Sequence, residues 1–129
     1  MPKIITAAVL VTSAANVAGG TTRGRVDCSA ADGGEIRWRM TNGATGPTVQ
    51  CEARILVARK QASMPAAAAE STGDDGWKQR YVQGGGTAIN ATTRGAYRFG
   101  PEVAYVEIEF VGNTGQSVTV ECTGDTYAY

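Results

Sequence analysis

The side chains that could do chemistry in this sequence are few and poorly grouped. There is no histidine in its 129 residues, which removes the commonest general base and the commonest metal ligand together. The three cysteines, Cys28, Cys51 and Cys122, match no zinc or redox spacing, and no C-x-x-C pair occurs. Each falls in step with apolar neighbours (Val26, Val49 and Ala53, Val120), the setting of a small buried thiol. One internal disulfide with a spare thiol is the alternative, and an odd count argues against a secreted disulfide scaffold. Glu107 and Glu109 stand two apart on the wet face of an alternating run, where burial would not tune a carboxylate pair for acid–base work. Asp74 and Asp75 beside Gly76 lack the alternate-position carboxylates of a calcium loop. Gly84-Gly85-Gly86 lacks the spacing and the lysine of a phosphate loop. Arg37 and Arg39 flank Trp38, yet alternation sends the Trp to the opposite face from both, so a core Trp beneath a solvated face is expected rather than a nucleic-acid platform. From this set we expect no enzyme, no cofactor and no metal.

The elements that position these residues are strands. Twelve basic residues balance twelve acidic ones, which gives no electrostatic pull toward nucleic acid or an anionic membrane and little repulsion between copies. The length suits one domain, residues 1–129, and 17 glycines with many Thr and Ala suit turns and strands. The clearest pattern lies at Pro101–Cys122. Val106, Ile108 and Phe110 alternate with Tyr105, Glu107 and Glu109; after Gly112-Asn113-Thr114-Gly115-Gln116, Val118, Val120 and Cys122 alternate with polar residues. The pattern predicts a β-hairpin with one dry and one wet face on its first strand.

Earlier in the chain, Ile4–Thr12 reads as a first strand rather than a signal peptide, which makes the cytoplasm the default place of synthesis. Further strands are expected at 23–28, 35–40, 48–60, 77–83 and 94–99. In the strand at 48–60, Leu56 and Ala58 on the second face suggest cover by a loop or another subunit. Ser63-Met64-Pro65 and the alanines up to Glu70 read as a short helical insertion in the excursion Gln61–Gly76. About eight short strands with turns between them describe an antiparallel β-sandwich, jelly-roll or immunoglobulin-like, and spacing alone does not choose between the two.

Candidate contact residues follow from this layout. Trp77 and Tyr81 share a face with Gln79 and Gln83, a mixture common in binding surfaces. Ile4 and Ile5 near one terminus and Tyr127 and Tyr129 near the other could add a strand to a neighbour. Met64 sits in the excursion and is expected to make inter-subunit contact there.

The runs M-T-N-G-A-T-G-P-T-V-Q-C-E-A-R-I-L-V (Met40–Val57) and A-Y-V-E-I-E-F-V-G-N-T-G-Q-S-V-T-V-E-C (Ala104–Cys122), with Trp77 after a D-D-G turn, resemble small virion proteins of tailed bacteriophages, the head-decoration or cement proteins. The resemblance covers about half the chain and contains no catalytic or ligand motif, so no functional residue carries over. It implies a β-sandwich on the outside of a capsid, made in the host bacterial cytoplasm. Its partners would be the major capsid protein and further copies of itself as a dimer or trimer, with no nucleic acid and no membrane. A competing expectation is a tail- or fibre-associated carbohydrate- or receptor-binding module using Trp77, Tyr81 and Tyr97. Solvent exposure of those three rings on one concave surface is what would favour it.

Overall fold

Two sheets that each carry one apolar face can bury those faces only against each other. The computed structural model, which describes residues 3–66 and 76–129, does this with eight strands. They are β1 (Ile4–Asn16), β2 (Thr21–Asp27), β3 (Gly33–Asn42), β4 (Glu52–Ala58), β5 (Lys78–Gly84), β6 (Thr92–Phe99), β7 (Tyr105–Val111) and β8 (Val118–Ala128). The first sheet has the order β1-β8-β3-β6 and the second β2-β7-β4-β5. The antiparallel pairs β1–β8, β2–β7, β3–β6 and β4–β5 nest inside one another. The chain is thus one long ribbon rolled into a sandwich, the wiring of a jelly roll.

Between the sheets, Ile36, Trp38 and Met40 of β3 meet Ala53, Ile55 and Val57 of β4, Val106, Ile108 and Phe110 of β7, and Val118, Val120 and Cys122 of β8. Each fully buried large aliphatic contributes about 1.5–3 kcal/mol over its exposed state. Trp38 lies in this core, its indole N–H donating to Gln83 Oε1 at 2.8 Å, while Arg37 points to solvent on the other face. The three cysteines are buried free thiols. Desolvation pushes Cys28, Cys51 and Cys122 up to about 12, 11 and 12, so they remain protonated and act as small apolar fillers.

Three expectations are corrected. The segment Tyr105–Cys122 is not a hairpin: β7 belongs to the second sheet and β8 to the first. Gly112 and Gly115, at φ of 99° and 82°, turn the chain across the sandwich. Asn113, fully buried, pins the crossing by donating to Asn16 O at 3.0 Å and Gln116 O at 2.9 Å. Nor does β7 have a wet face, since every residue from Tyr105 to Phe110 is buried. On its outer side a second apolar cluster forms from Leu56, Ala58, Trp77, Ala104 and Tyr105, with Met64 against it. The cover expected over Leu56 and Ala58 is therefore supplied by this chain's own connection between β4 and β5.

The third correction is the helical insertion, which is not seen. No helix occurs among the described residues. Residues 61–66 are irregular, and the remainder of the expected helix lies outside the described residues, as does the Asp74–Asp75 turn. The carbonyls that a helix would use at its start are taken by side chains. Pro65 O accepts from Arg25 Nη1 at 3.2 Å and Ala66 O from Trp77 Nε1 at 2.8 Å.

Candidate interaction surface

The longest strand, β1, has 13 residues and lies at an edge of the first sheet. Its sequence, I-I-T-A-A-V-L-V-T-S-A-A-N, contains no charge and no proline. Charged side chains guard the other three edges: Arg23, Arg25 and Asp27 on β2, Lys78 and Arg80 on β5, Arg94 and Arg98 on β6. Charge on an edge strand is the usual protection against pairing with another chain. On β1, Ile4, Ile5 and Val9 are instead exposed by 61, 63 and 66 %.

The strand's two halves differ. From Ile4 to Val9 it pairs with β8 in unbroken register, Ile4 opposite Ala128 and Val9 opposite Thr123; bulges follow between Val9 and Val11 and between Val11 and Ala14. At Leu10 the backbone of β2 closes in, and Gly24 is required there because a Cβ would run into the Leu10 carbonyl. Beyond that point the chain is bound into the sandwich, with Asn16 Nδ2 donating to Asn113 Oδ1 at 2.6 Å.

Next to this edge, the outer face of the first sheet carries rows fixed by register. Ile5 lies opposite Tyr127, and the row behind it is Ala7, Asp125, Glu35 and Arg98. Arg37 Nη2 meets Asp125 Oδ2 at 2.9 Å, Arg37 Nη1 meets Glu35 Oε1 at 3.1 Å, and Arg98 Nε meets Glu35 Oε2 at 2.7 Å. Hydrogen bonds from Arg98 and then Arg37 hold the Glu35 carboxyl below its ordinary range. Lys3 Nζ lies 4.8 Å from the centre of the Tyr127 ring, and Tyr129 stands edge-on to that ring at 6.1 Å. All of these residues except Ala7 line a cleft of about 480 Å³. The Tyr129 N–H donates to Asp32 Oδ2 at 2.8 Å, which ties the end of β8 down.

Of the candidate contacts, Ile4, Ile5, Tyr127 and Tyr129 are thus brought to one corner of the sandwich. The two terminal segments pair with each other rather than hanging free. Trp77 is elsewhere, 1 % exposed beneath the second sheet's cover with its N–H satisfied. Met64 packs beside it, half-buried. Tyr81 is exposed on β5 but leans on Trp38, ring centres 5.9 Å apart, and Tyr97 packs half-buried against the core. The three rings do not share a concave surface. Val9 was missed by sequence reasoning, although the uncharged run around it was there to be read. Among the described residues no group of three His, Cys, Asp or Glu side chains is placed to hold a metal ion. What this surface offers is non-covalent contact: open backbone groups, apolar side chains, aromatic edges and an ion-pair network.

No protein-family model matches the sequence, and no curated protein does. Solved structures share its shape. The K3 cleaved adhesin domain of Lys-gingipain from Porphyromonas gingivalis overlays with a TM-score of 0.57 at 7 % identity, over 90 % of this chain and 73 % of that one. VP2 of the infectious bursal disease virus subviral particle gives 0.53 at 11 % identity, over 98 % of this chain; the overlay spans 33 % of VP2. The SPBc2 prophage-derived protein YomS gives 0.46 at 14 % identity, over 99 % of this chain and 96 % of that one. At these identities the likeness is one of fold.

Proposed function

We propose that this protein is a structural component of a bacteriophage particle, a small β-sandwich that binds the outside of the shell built by the major capsid protein and reinforces it. The observation that carries this reading is the unguarded β1 edge beside the Tyr127–Tyr129 corner, a surface suited to pairing with protein and carrying no catalytic constellation. The fold supports it as well, because the VP2 region with the same shape belongs to a subviral particle. In this reading the protein is not an enzyme, and many modest contacts repeated around a shell supply the strength that one contact lacks. Protein counting on gradient-purified particles tests the role. A copy number in fixed ratio to the major capsid protein is expected; absence from particles, or a handful of copies, would overturn it.

A second reading is a tail- or fibre-associated module for carbohydrate or receptor. It is favoured by the cleft between Tyr127, Tyr129, Lys3 and the Glu35–Arg98–Arg37–Asp125 network, which combines ring faces with hydrogen-bonding groups. Glycan binding that is lost in Tyr129→Ala would support it, and a flat glycan screen would remove it.

A further inference from the structure

We propose that two copies of this chain associate by antiparallel pairing of their β1 strands about a twofold axis at Ala7, joining two four-stranded sheets into one of eight. This names the occupant of the edge on which the proposed function rests, but it requires no particle.

The length of open edge is set by the fold. Only Ile4–Val9 combines regular pairing to β8 with freedom from β2, since the bulge after Val9 and the approach of Gly24 to Leu10 close the rest. At about 3.4 Å per residue this is roughly 20 Å of strand.

The register follows from symmetry. A twofold axis perpendicular to a sheet keeps every side chain on its own face, so directly opposed residues must share a face and the axis must pass through a residue. Within Ile4–Val9, an axis at Thr6 would set Ile5 opposite Ala7 and Ile4 opposite Ala8. An axis at Ala7 sets Ile5 opposite Val9 twice and Thr6 opposite Ala8 twice. The second choice buries Ile5 and Val9, at 63 and 66 % exposure, against each other as cross-strand β-branched pairs, the kind that stabilises sheets.

Charge argues for a copy of the same strand as the occupant. The run from Ile4 to Asn16 holds no ionisable side chain, so a copy opposes it with none. A charged partner strand would have to desolvate its charge against Ile and Val. Lys3, which precedes the run in sequence, is turned onto the Tyr127 ring of its own chain, and a chain with zero net charge has little long-range repulsion to overcome. An interface built on a strand this short falls at the small end of the size range, below about 1,200 Å², so the dimer is expected to dissociate on dilution.

Sedimentation of the purified protein over a wide concentration range tests the association, and a cysteine placed on the axis tests its geometry. The wild type should pass from one-chain to two-chain mass as concentration rises. Val9→Lys should remain at one-chain mass with an unchanged melting curve. In Ala7→Cys the two new thiols face each other across the axis at a separation a disulfide can span. The native cysteines are buried, so mild oxidation should link nearly all of that variant into dimers while leaving Val9→Cys unlinked. Mixing Ile5→Cys with Val9→Cys should restore linkage. A wild type that stays at one-chain mass into the millimolar range overturns the proposal, as does a dimer that persists in Val9→Lys or in which Ala7→Cys fails to link. A solution dimer absent from particles would remove the proposed function and leave this inference standing; a particle-bound protein that is monomeric in solution would do the reverse.

Discussion

The strands β3 and β7 are written in nearly the same code and end in different surroundings. Glu35-Ile36-Arg37-Trp38-Arg39-Met40 and Tyr105-Val106-Glu107-Ile108-Glu109-Phe110 both alternate, and each strand is interior to its sheet. In β3 the polar set stays at the surface, with Arg37 paired to Asp125 and Glu35 in water. In β7 the polar set is buried: Glu107 is 0 % and Glu109 5 % exposed. The difference lies outside both strands. The connection from β4 to β5 lays Met64 and Trp77 over the second sheet, whereas among the described residues nothing comparable lies over Arg37 on the first. Alternation tells a strand which residues share a face. Only the neighbouring connection decides whether that face meets solvent.

If the second sheet owes its dry outer face to that cover, removing its largest side chain should have the largest effect. Trp77→Ala is expected to cost about 3–5 kcal/mol in denaturant unfolding; a loss under 1 kcal/mol would mean the cover is incidental. A smaller effect is expected from Arg23→Ala. It removes the 2.9 Å partner of Glu109, whose side chain is only 6 % exposed, and leaves Arg54 at 3.7 Å. Leaving that carboxylate poorly paired should cost about 1–3 kcal/mol, and Arg23→Lys should recover part of it. The weakest effect should come from the open face. Because its partners hold the Glu35 carboxyl below the ordinary 4.5, the folded chain binds fewer protons there than the unfolded one. The stabilisation is present above that pH and fades as the pH falls through the folded value. Glu35→Gln should flatten the acid limb of the stability profile slightly, an effect that salt should shrink. A steep Glu35-dependent limb would erase the contrast between the two faces.

Much of the fold was legible because period-2 alternation reports a local geometry. All eight strands were anticipated, as were the buried cysteines and the core Trp38. What failed depends on long-range placement. Gly112–Gln116 looks the same in sequence whether it closes a hairpin or crosses between sheets; the deciding contact is Asn113 to Asn16, far away along the chain. The ends of β1 and β8 ran past expectation, to Asn16 and Ala128, because each continues to pair with the other. Ile4, Ile5, Tyr127 and Tyr129 were expected from the sequence to make inter-subunit contacts. That they form one corner is a property of the β1–β8 pairing, and that β1 is an edge follows only from the sheet order. Trimming residues 125–129 would remove the pairs that join the end of β8 to both β1 and β3.

The pairing of Ile4 with Ala128 also sets a timetable. β1 is made before the other seven strands and has no strand to lie against in its own sheet until β8 leaves the ribosome. At roughly 5–20 residues per second, the stretch from Asn16 to Val118 makes that wait about 5–20 s. During it an apolar, uncharged segment is available to any passing strand, in a topology whose non-local contacts already make folding slow. Yield from an expressing cell should therefore depend on how fast the codons between β1 and β8 are read and on whether a chaperone shields β1 meanwhile, more than on the stability of the finished sandwich.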